Sequence, residues 1–361
     1  FLFGANRLSN RASLCGSGPV GQPVPKRGKV HEYKKRPGLP PAAVVVIASL
    51  ALLWRASRVA HDCGHRSRDS HHSGGRVTLG GYKAPAMINP IATDLRPLFG
   101  RLPGDFRLTV ADIGSIGGLH KRWQSLAPHL VTINFDPLES KESSDRERYF
   151  HFLVGDREGS ATLKVTRRES MSSTLNPDRH FFAPFWNKPG HVEVIKEIEA
   201  PMARLDPLFE RESIVADAIK IDVQGGEAAV ISGATRSFRS SIILAEIECS
   251  FAARYEGQEC FDEIVARMRE LGFALLDVRR LKRYRYRNAA GVDDASLGLG
   301  MRAGRLGFCD AIFVVEPDDL WRRIEGGGGA NGPHLALKMM VLLLSYGKAD
   351  LAAATFDRGA D

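Results

Sequence analysis

The chain has 361 residues, of which 43% are apolar and 25% charged. That is ordinary globular composition, with room for one large domain or two small ones. The net charge of +8 is concentrated at one end. Residues 1–76 hold 13 Lys/Arg against 3 Asp/Glu, leaving 37 basic and 39 acidic residues in 77–361. The folded part therefore has no bulk electrostatic reason to seek DNA or RNA, and no nucleic-acid partner is expected.

Residues 1–86 are basic and rich in Pro, Gly, Arg, Ser and His, and they read as a disordered or non-native segment. An apolar run, Ala42 to Trp54, has basic flanks like a signal core or membrane anchor. It is shorter than the roughly 20 residues that span a bilayer, and it lies late for a signal peptide. The tract His61, Cys63, His65, His71, His72 lacks the separated pairs of a closed zinc site, so a His-rich disordered tract is expected and no metal. The first Met is Met87. This raises the expectation that much of 1–86 is translated from upstream of the true start, or that the chain is a fragment. The five cysteines (Cys15, Cys63, Cys249, Cys260, Cys309) show no paired spacing. Cys249 and Cys309 lie in apolar runs, as small core residues do. A reducing, cytoplasmic location is expected.

From Met87 onward strands and helices alternate. Leu108 to Ile113 reads as a buried strand entering a tight turn. Leu119 to Ala127 reads as a helix closed by Pro128. Val131 to Phe135 is the next strand, and Phe150 to Val154 a third. The turn Gly155 to Gly159 leads into a hairpin-like strand, Ala161 to Thr166. Val192 to Ile198 alternates as a strand does, and a short helix follows over Met202 to Phe209. Ala218 to Val223 is an apolar strand interrupted by Lys220 and Asp222, followed by a helix from Glu227 to Phe238. Ile242 to Ile247 is near-continuously apolar, as in a parallel sheet covered on both faces. Phe261 to Leu271 is an amphipathic helix stopped by Gly272. Phe273 to Val278 and Ala311 to Val315 are the last strands. The alternation predicts a doubly wound, mostly parallel α/β sheet over 87–325. A Gly-rich linker and a terminal helical hairpin, Leu335 to Tyr346 and Ala349 to Phe356, fill 326–361, the hairpin either packed on the domain or used in a homodimer contact.

Three constellations carry chemistry. Asp112-Ile113-Gly114-Ser115-Ile116-Gly117-Gly118 leaves a strand and opens a helix, where glycines let backbone approach a ligand and free N–H groups face it. Asp136 ends the next strand, 24 residues on, where an acid can accept bonds from both ribose hydroxyls. A tight structural turn and a solvent-exposed turn Asp are the plain alternatives. NAD and S-adenosylmethionine both use this pair. Lys220 and Asp222 then charge a central strand, which is costly unless they are satisfied. Glu246 and Glu248 repeat the theme one helix later.

In these residues the chain resembles the FkbM methyltransferases, class I enzymes that depend on S-adenosylmethionine. Asp112-x-Gly114 with Gly118, Phe135-Asp136-Pro137, Leu205-Asp206, Lys220-Ile221-Asp222-Val223 with Gly225 and Glu227, and Asp310-Ala311-Ile312-Phe313 match the family's motifs in order. Ile116 and Gly117 replace its Asn-Ile, Gln224 stands where Glu is usual, and Asp136 replaces Glu. The resemblance implies a Rossmann-like sheet with an antiparallel last strand, spanning Met87 to Leu320, and S-adenosylmethionine as cofactor. It implies a cofactor site of Asp112, Gly114, Ser115, Gly118, Asp136, Val154 and Asp156. O-methylation of a hydroxyl on a sugar, glycolipid or secondary metabolite is the expected reaction, on a small-molecule or glycan acceptor. Removing the alcohol proton calls for a base; Asp222 and Glu248 are the candidates, each with the alternative of merely fixing loop hydrogen bonds. The insert from Thr166 to Pro189, with Met171-Ser172-Ser173 and the aromatics Phe181, Phe182, Phe185 and Trp186, is expected to shape the acceptor pocket. Two rival functions stand beside this one. An NAD-dependent oxidoreductase would want G-x-G-x-x-G in the first turn. A methyltransferase-like domain that binds the cofactor without catalysis fits Gln224 and the altered turn.

Overall fold

The computed structural model describes residues 99–119, 121–292, 303–326 and 332–358. The apolar run at 42–54, the His tract and most of the Gly-rich linker lie outside them. Among the described residues ten strands form two sheets: β1 (Leu108–Ile113), β2 (Leu130–Phe135), β3 (Glu147–Phe150), β4 (Leu153–Val154), β5 (Gly159–Thr166), β6 (Val194–Ala203), β7 (Ala218–Ile221), β8 (Leu244–Ser250), β9 (Phe273–Tyr284) and β10 (Arg305–Val315). The main sheet has the order β3-β2-β1-β7-β8-β10-β9. Pairing is parallel from β3 through β8, and β10 inserts antiparallel between β8 and β9. This is the doubly wound, mostly parallel sheet with an antiparallel last strand that the alternation and the resemblance predict. A second sheet, β4-β6-β5, stands beside it.

Several elements depart from expectation for identifiable reasons. The segment expected as a helix over 119–127 is a 3-10 helix, Lys121–His129, with Pro128 inside it. Residues three apart eclipse in a 3-10 helix. That spacing buries Trp123 and Leu126 together and brings the His129 ring to the carbonyls of Phe99 and Phe106. The single strand expected over 150–154 is two strands in different sheets. The chain turns at His151 while Phe150 and Phe152 pack on the Phe135 ring, at 5.1 and 5.8 Å between centroids. Met202 belongs to β6, and the helix after it begins at Leu205.

The helix expected over 227–238 breaks at Ala234 into Glu227–Gly233 and Thr235–Ser240. Asp206 causes the break. Its carboxylate accepts from the Arg236 and Ser237 amides (2.7 and 2.9 Å) and from the Ser237 hydroxyl (2.7 Å), satisfying N–H groups at the start of the second piece as a cap does. Strands β9 and β10 run well past their expected ends, and β8 continues to Ser250, so Glu248 lies within a strand.

The terminal helices, Gly332–Ser345 and Ala349–Arg358, pack on the domain. Leu337, Val341 and Leu342 are fully buried and share one apolar core with Ile219, Leu244 and Phe313. A helix apolar on all sides must be enclosed. Lys338 reaches from it to Asp217, 2.8 Å away, whose other oxygen also accepts from the Thr109 amide. Among the described residues no helix is long and apolar enough to cross a membrane. Removing Lys338 strands a buried carboxylate. Lys338→Ala should lower unfolding free energy by about 2 kcal/mol, measured as an earlier denaturant midpoint at unchanged slope. An unmoved midpoint would mean that the Thr109 amide alone suffices for Asp217.

Candidate active site

Where parallel strands end, their loops diverge and leave a crevice. A cavity of about 920 Å³ opens there, beyond β1, β2 and β7, and is walled on its far side by the small sheet. The turn after β1 is held by Phe135, whose carbonyl accepts from the Gly114 and Ser115 amides at 2.9 and 3.2 Å. Gly114 (φ 81°) lines the cavity and sits so close to Asp222 that a Cβ there would overlap the Asp222 carbonyl oxygen. Asp136 also lines it; its Oδ1 accepts from the Leu138 amide at 2.9 Å. Burial raises the Asp136 carboxyl above its ordinary 3.8, against backbone bonds from Leu138 and Ile116 that lower it. Val154 and Asp156 line the same cavity, whereas Asp112, Ser115 and Gly118 are not among its lining residues.

Asp112 has a different setting. It is fully buried, and its Oδ1 accepts from Lys220 Nζ at 3.0 Å. In register, Asp112 opposes Lys220 across β1 and β7, and Lys220 opposes Glu246 across β7 and β8. Side chains two apart share a sheet face, so Asp222, Glu248 and Asp310 form a second row on that face, Glu248 opposing Asp310 directly. Burial works against the Lys220 charge, but Asp112 and then Asp222 more than offset it and raise its pKa.

The second row is almost all acid and takes its counter-charges from Arg254, after β8, and Arg280, on the edge strand β9. Glu248 accepts from Arg254 Nη2 (2.6 Å), Gln224 Nε2 (2.9 Å) and Arg280 Nη2 (3.1 Å). Burial, and then the Asp222 charge, push its carboxyl up to about 8 against the pull of Arg254. Glu248 does not line the cavity. Asp222 does, and Gln224 joins the two, since the same amide donates to Asp222 Oδ1 at 2.7 Å. A glutamate at 224 would set a further carboxylate against both acids, so the amide has a physical reason here. Arg280, at φ 46° in a bulge of β9, bonds Asp310 at 2.8 Å and reaches Asp222 Oδ2 at 3.5 Å.

Sequence reasoning missed Arg254 and Arg280. Arg254 is 1% exposed, and an Arg so enclosed carries no sequence mark. Arg280 is re-aimed by its bulge, as bulges do. In the insert, Ser170 and Ser172 to Leu175 line the cavity. The expected aromatics do not: Phe182 and Phe185 build a small core with Met171, Val192 and Tyr284, and Trp186 is 47% exposed. Among the described residues there is no group of three or more His, Cys, Asp or Glu poised to hold a metal.

Residues 119–275 match the family described as the Methyltransferase FkbM domain. No curated protein matches the chain. Among solved structures, a Listeria monocytogenes protein provisionally described as an S-adenosylmethionine dependent methyltransferase is 9% identical, covering 62% of this chain and 97% of its own, at a TM-score of 0.30. The family match, on a sheet whose crevice is lined by Gly114, Asp136 and Asp222, is the decisive finding: over residues 119–275 the chain is similar to the FkbM methyltransferase domain.

Proposed function

We propose that this domain transfers the methyl group of S-adenosylmethionine to a hydroxyl oxygen of a sugar, glycolipid or secondary metabolite, with Asp222 as the base. The observation that carries this reading is one continuous cavity. Gly114 and Asp136 line one part of it, Asp222 another, and Ser160, Thr162, Ser170, Ser172, Ser173 and Thr174 its wall.

The residues present fit the cofactor. Asp112 Oδ2 and Ser115 Oγ, just behind the cavity-lining turn, are buried without a hydrogen-bond partner, which marks the turn as polar beyond its own needs. Gly114 gives the turn its close approach to the β7 loop. Asp136 keeps acceptor capacity for ribose hydroxyls beyond its bond to Leu138. When bound, S-adenosylmethionine supplies a methyl carbon already activated by a sulfonium. The protein's remaining work is alignment, worth roughly 7–11 kcal/mol at best, and removal of the alcohol proton. An acceptor hydroxyl would donate to Asp222, which takes the proton as the new C–O bond forms. Gln224 on one oxygen and Arg280 near the other hold that carboxylate in one orientation. Glu248 acts through Gln224 and is a positioning residue. These same contacts occupy Asp222, and that favours a second reading in which the domain binds cofactor without transferring the methyl group.

Gly114→Ala should fold yet lose cofactor affinity at least about tenfold, read by calorimetric titration, because a Cβ at positive φ forces the two loops apart. Asp222→Asn should keep cofactor affinity and cut single-turnover methyl transfer about 10²–10⁴-fold; wild-type protein inert toward a panel of hydroxylated acceptors would favour the second reading. The pH dependence follows from Asp136. Its folded pKa is raised, so acidification protonates it earlier than a free aspartate. Cofactor affinity should weaken on the acid side beginning above pH 3.8, and Asp136→Asn should flatten that limb of the titration.

A further inference from the structure

One side of the insert carries cations that the methyl-transfer reading does not use. Residues 179–191 are stitched to the end of β9: the Trp186 amide donates to the Arg285 carbonyl (3.0 Å) and the Arg287 amide to the Pro184 carbonyl (2.8 Å). The Arg168 amide donates to the His191 carbonyl at 3.0 Å. These bonds bring Arg168, Lys188 and Lys282 to one place. Lys188 Nζ stands 4.5 Å above the Tyr284 ring, two residues along the strand from Lys282 and so on the same face. Arg305 pairs in register with Tyr284, and its guanidinium lies 5.5 Å from the Phe181 ring. Among the described residues none of these four cations has an ion-pair partner, while neighbouring Arg167 is matched by Glu193 at 2.8 Å. Burial, then the charges of Arg168, Arg254 and Lys282, lower the Lys188 pKa, as expected where like charges crowd.

We propose that Arg168, Lys188 and Lys282 seat a phosphoryl group carried by the methyl acceptor. This rests on the transferase reading above and names its substrate class. Like charges held together without counter-charges are costly, and a ligand that supplies the missing charge removes the cost. A phosphate monoester matches them best: it carries close to two negative charges and three terminal oxygens, one for each cation, whereas a carboxylate offers two oxygens and one charge. The placement favours a small molecule. Arg168 lies two residues from Ser170, which lines the cavity that Asp222 also lines, so a phosphoryl group on the cations sits beside that cavity. Tyr284 ties the two places together, since its hydroxyl lies 3.3 Å from Arg254, the partner of Glu248. The near-neutral charge balance of residues 77–361 argues against a nucleic acid.

The test is calorimetric titration of the full chain with inorganic phosphate and with glycerol phosphate at low ionic strength. Wild-type protein should bind both one to one. Lys188→Met with Lys282→Met should weaken both at least about tenfold, with cofactor affinity unchanged. Lys282→Glu, at an exposed site, gives the same readout should the double variant fold poorly. Phosphate binding that is undetectable in the wild type, or equal in all variants, overturns the proposal. So does a variant that loses phosphatidylserine vesicles or an oligouridylate while holding phosphate as well as wild type, because the cations then serve a macromolecule. Failure of S-adenosylmethionine to bind wild-type protein would overturn the transferase reading alone and leave the phosphate titration to be read by itself.

Discussion

A lysine held between two acids at the centre of a parallel sheet governs this protein. Lys220 sits where only apolar side chains are cheap, and it is tolerated because Asp112 on one neighbouring strand and Glu246 on the other lie in register with it. That register is strict. A one-residue slip in either pairing would turn the partner acid to the opposite face and leave a buried charge unpaired, which costs more than the pair itself yields. The triad therefore fixes how β1, β7 and β8 align, and so where their three C-terminal loops emerge. The Gly114 turn and the Asp222 loop meet across the cavity because their strands cannot shift.

The row nearer the cavity is balanced differently. Asp222, Glu248 and Asp310 have no cation between them in the row, so their neutralisation comes from Arg254, in the segment after β8, and from Arg280, in a bulge of the edge strand. The arrangement leaves Asp222 as the acid that meets the cavity while Glu248 is walled off by three donors. Two carboxylates facing each other at the ends of neighbouring strands thus receive unlike environments, an arrangement that pushes the behaviour of paired acids apart.

Much of this was legible from residue order, and the limits have physical causes. The sheet followed from apolar runs of strand length alternating with helices, and Lys220 and Asp222 stood out because charge inside such a run needs a reason. Asp136 and Gly114 were placed by their positions at strand ends. What could not be seen depended on long-range partners. Asp206 caps a helix that begins 29 residues later, so the break at Ala234 had no local sign. The aromatics of the insert pack around Tyr284, a residue nearly a hundred positions away, and an aromatic cluster looks alike whether it lines a pocket or fills a core. The apolar run stops at Ile247, which suggests a strand end at Glu248, yet β8 continues to Ser250 because Arg254 satisfies the Glu248 charge.

The stretch that matches the family, 119–275, does not contain the machinery whole. Asp112 and Gly114 precede it, while Arg280 and Asp310 follow it. The terminal helices lie further on, and they too reach the charged rows: Tyr346 donates its hydroxyl to Glu246 at 2.5 Å, and Lys338 neutralises Asp217 at the foot of β7. Tyr346 also meets Trp123 edge-on, at 5.8 Å between rings, which closes a path from the last helices to the segment following the Gly114 turn. A truncation at residue 275 would remove β10, expose the full length of β8 and leave Glu248 opposite nothing. The unit that can hold the site's geometry thus runs from the residues before β1 to the terminal helices, and the charges at its centre are satisfied only when both ends are present.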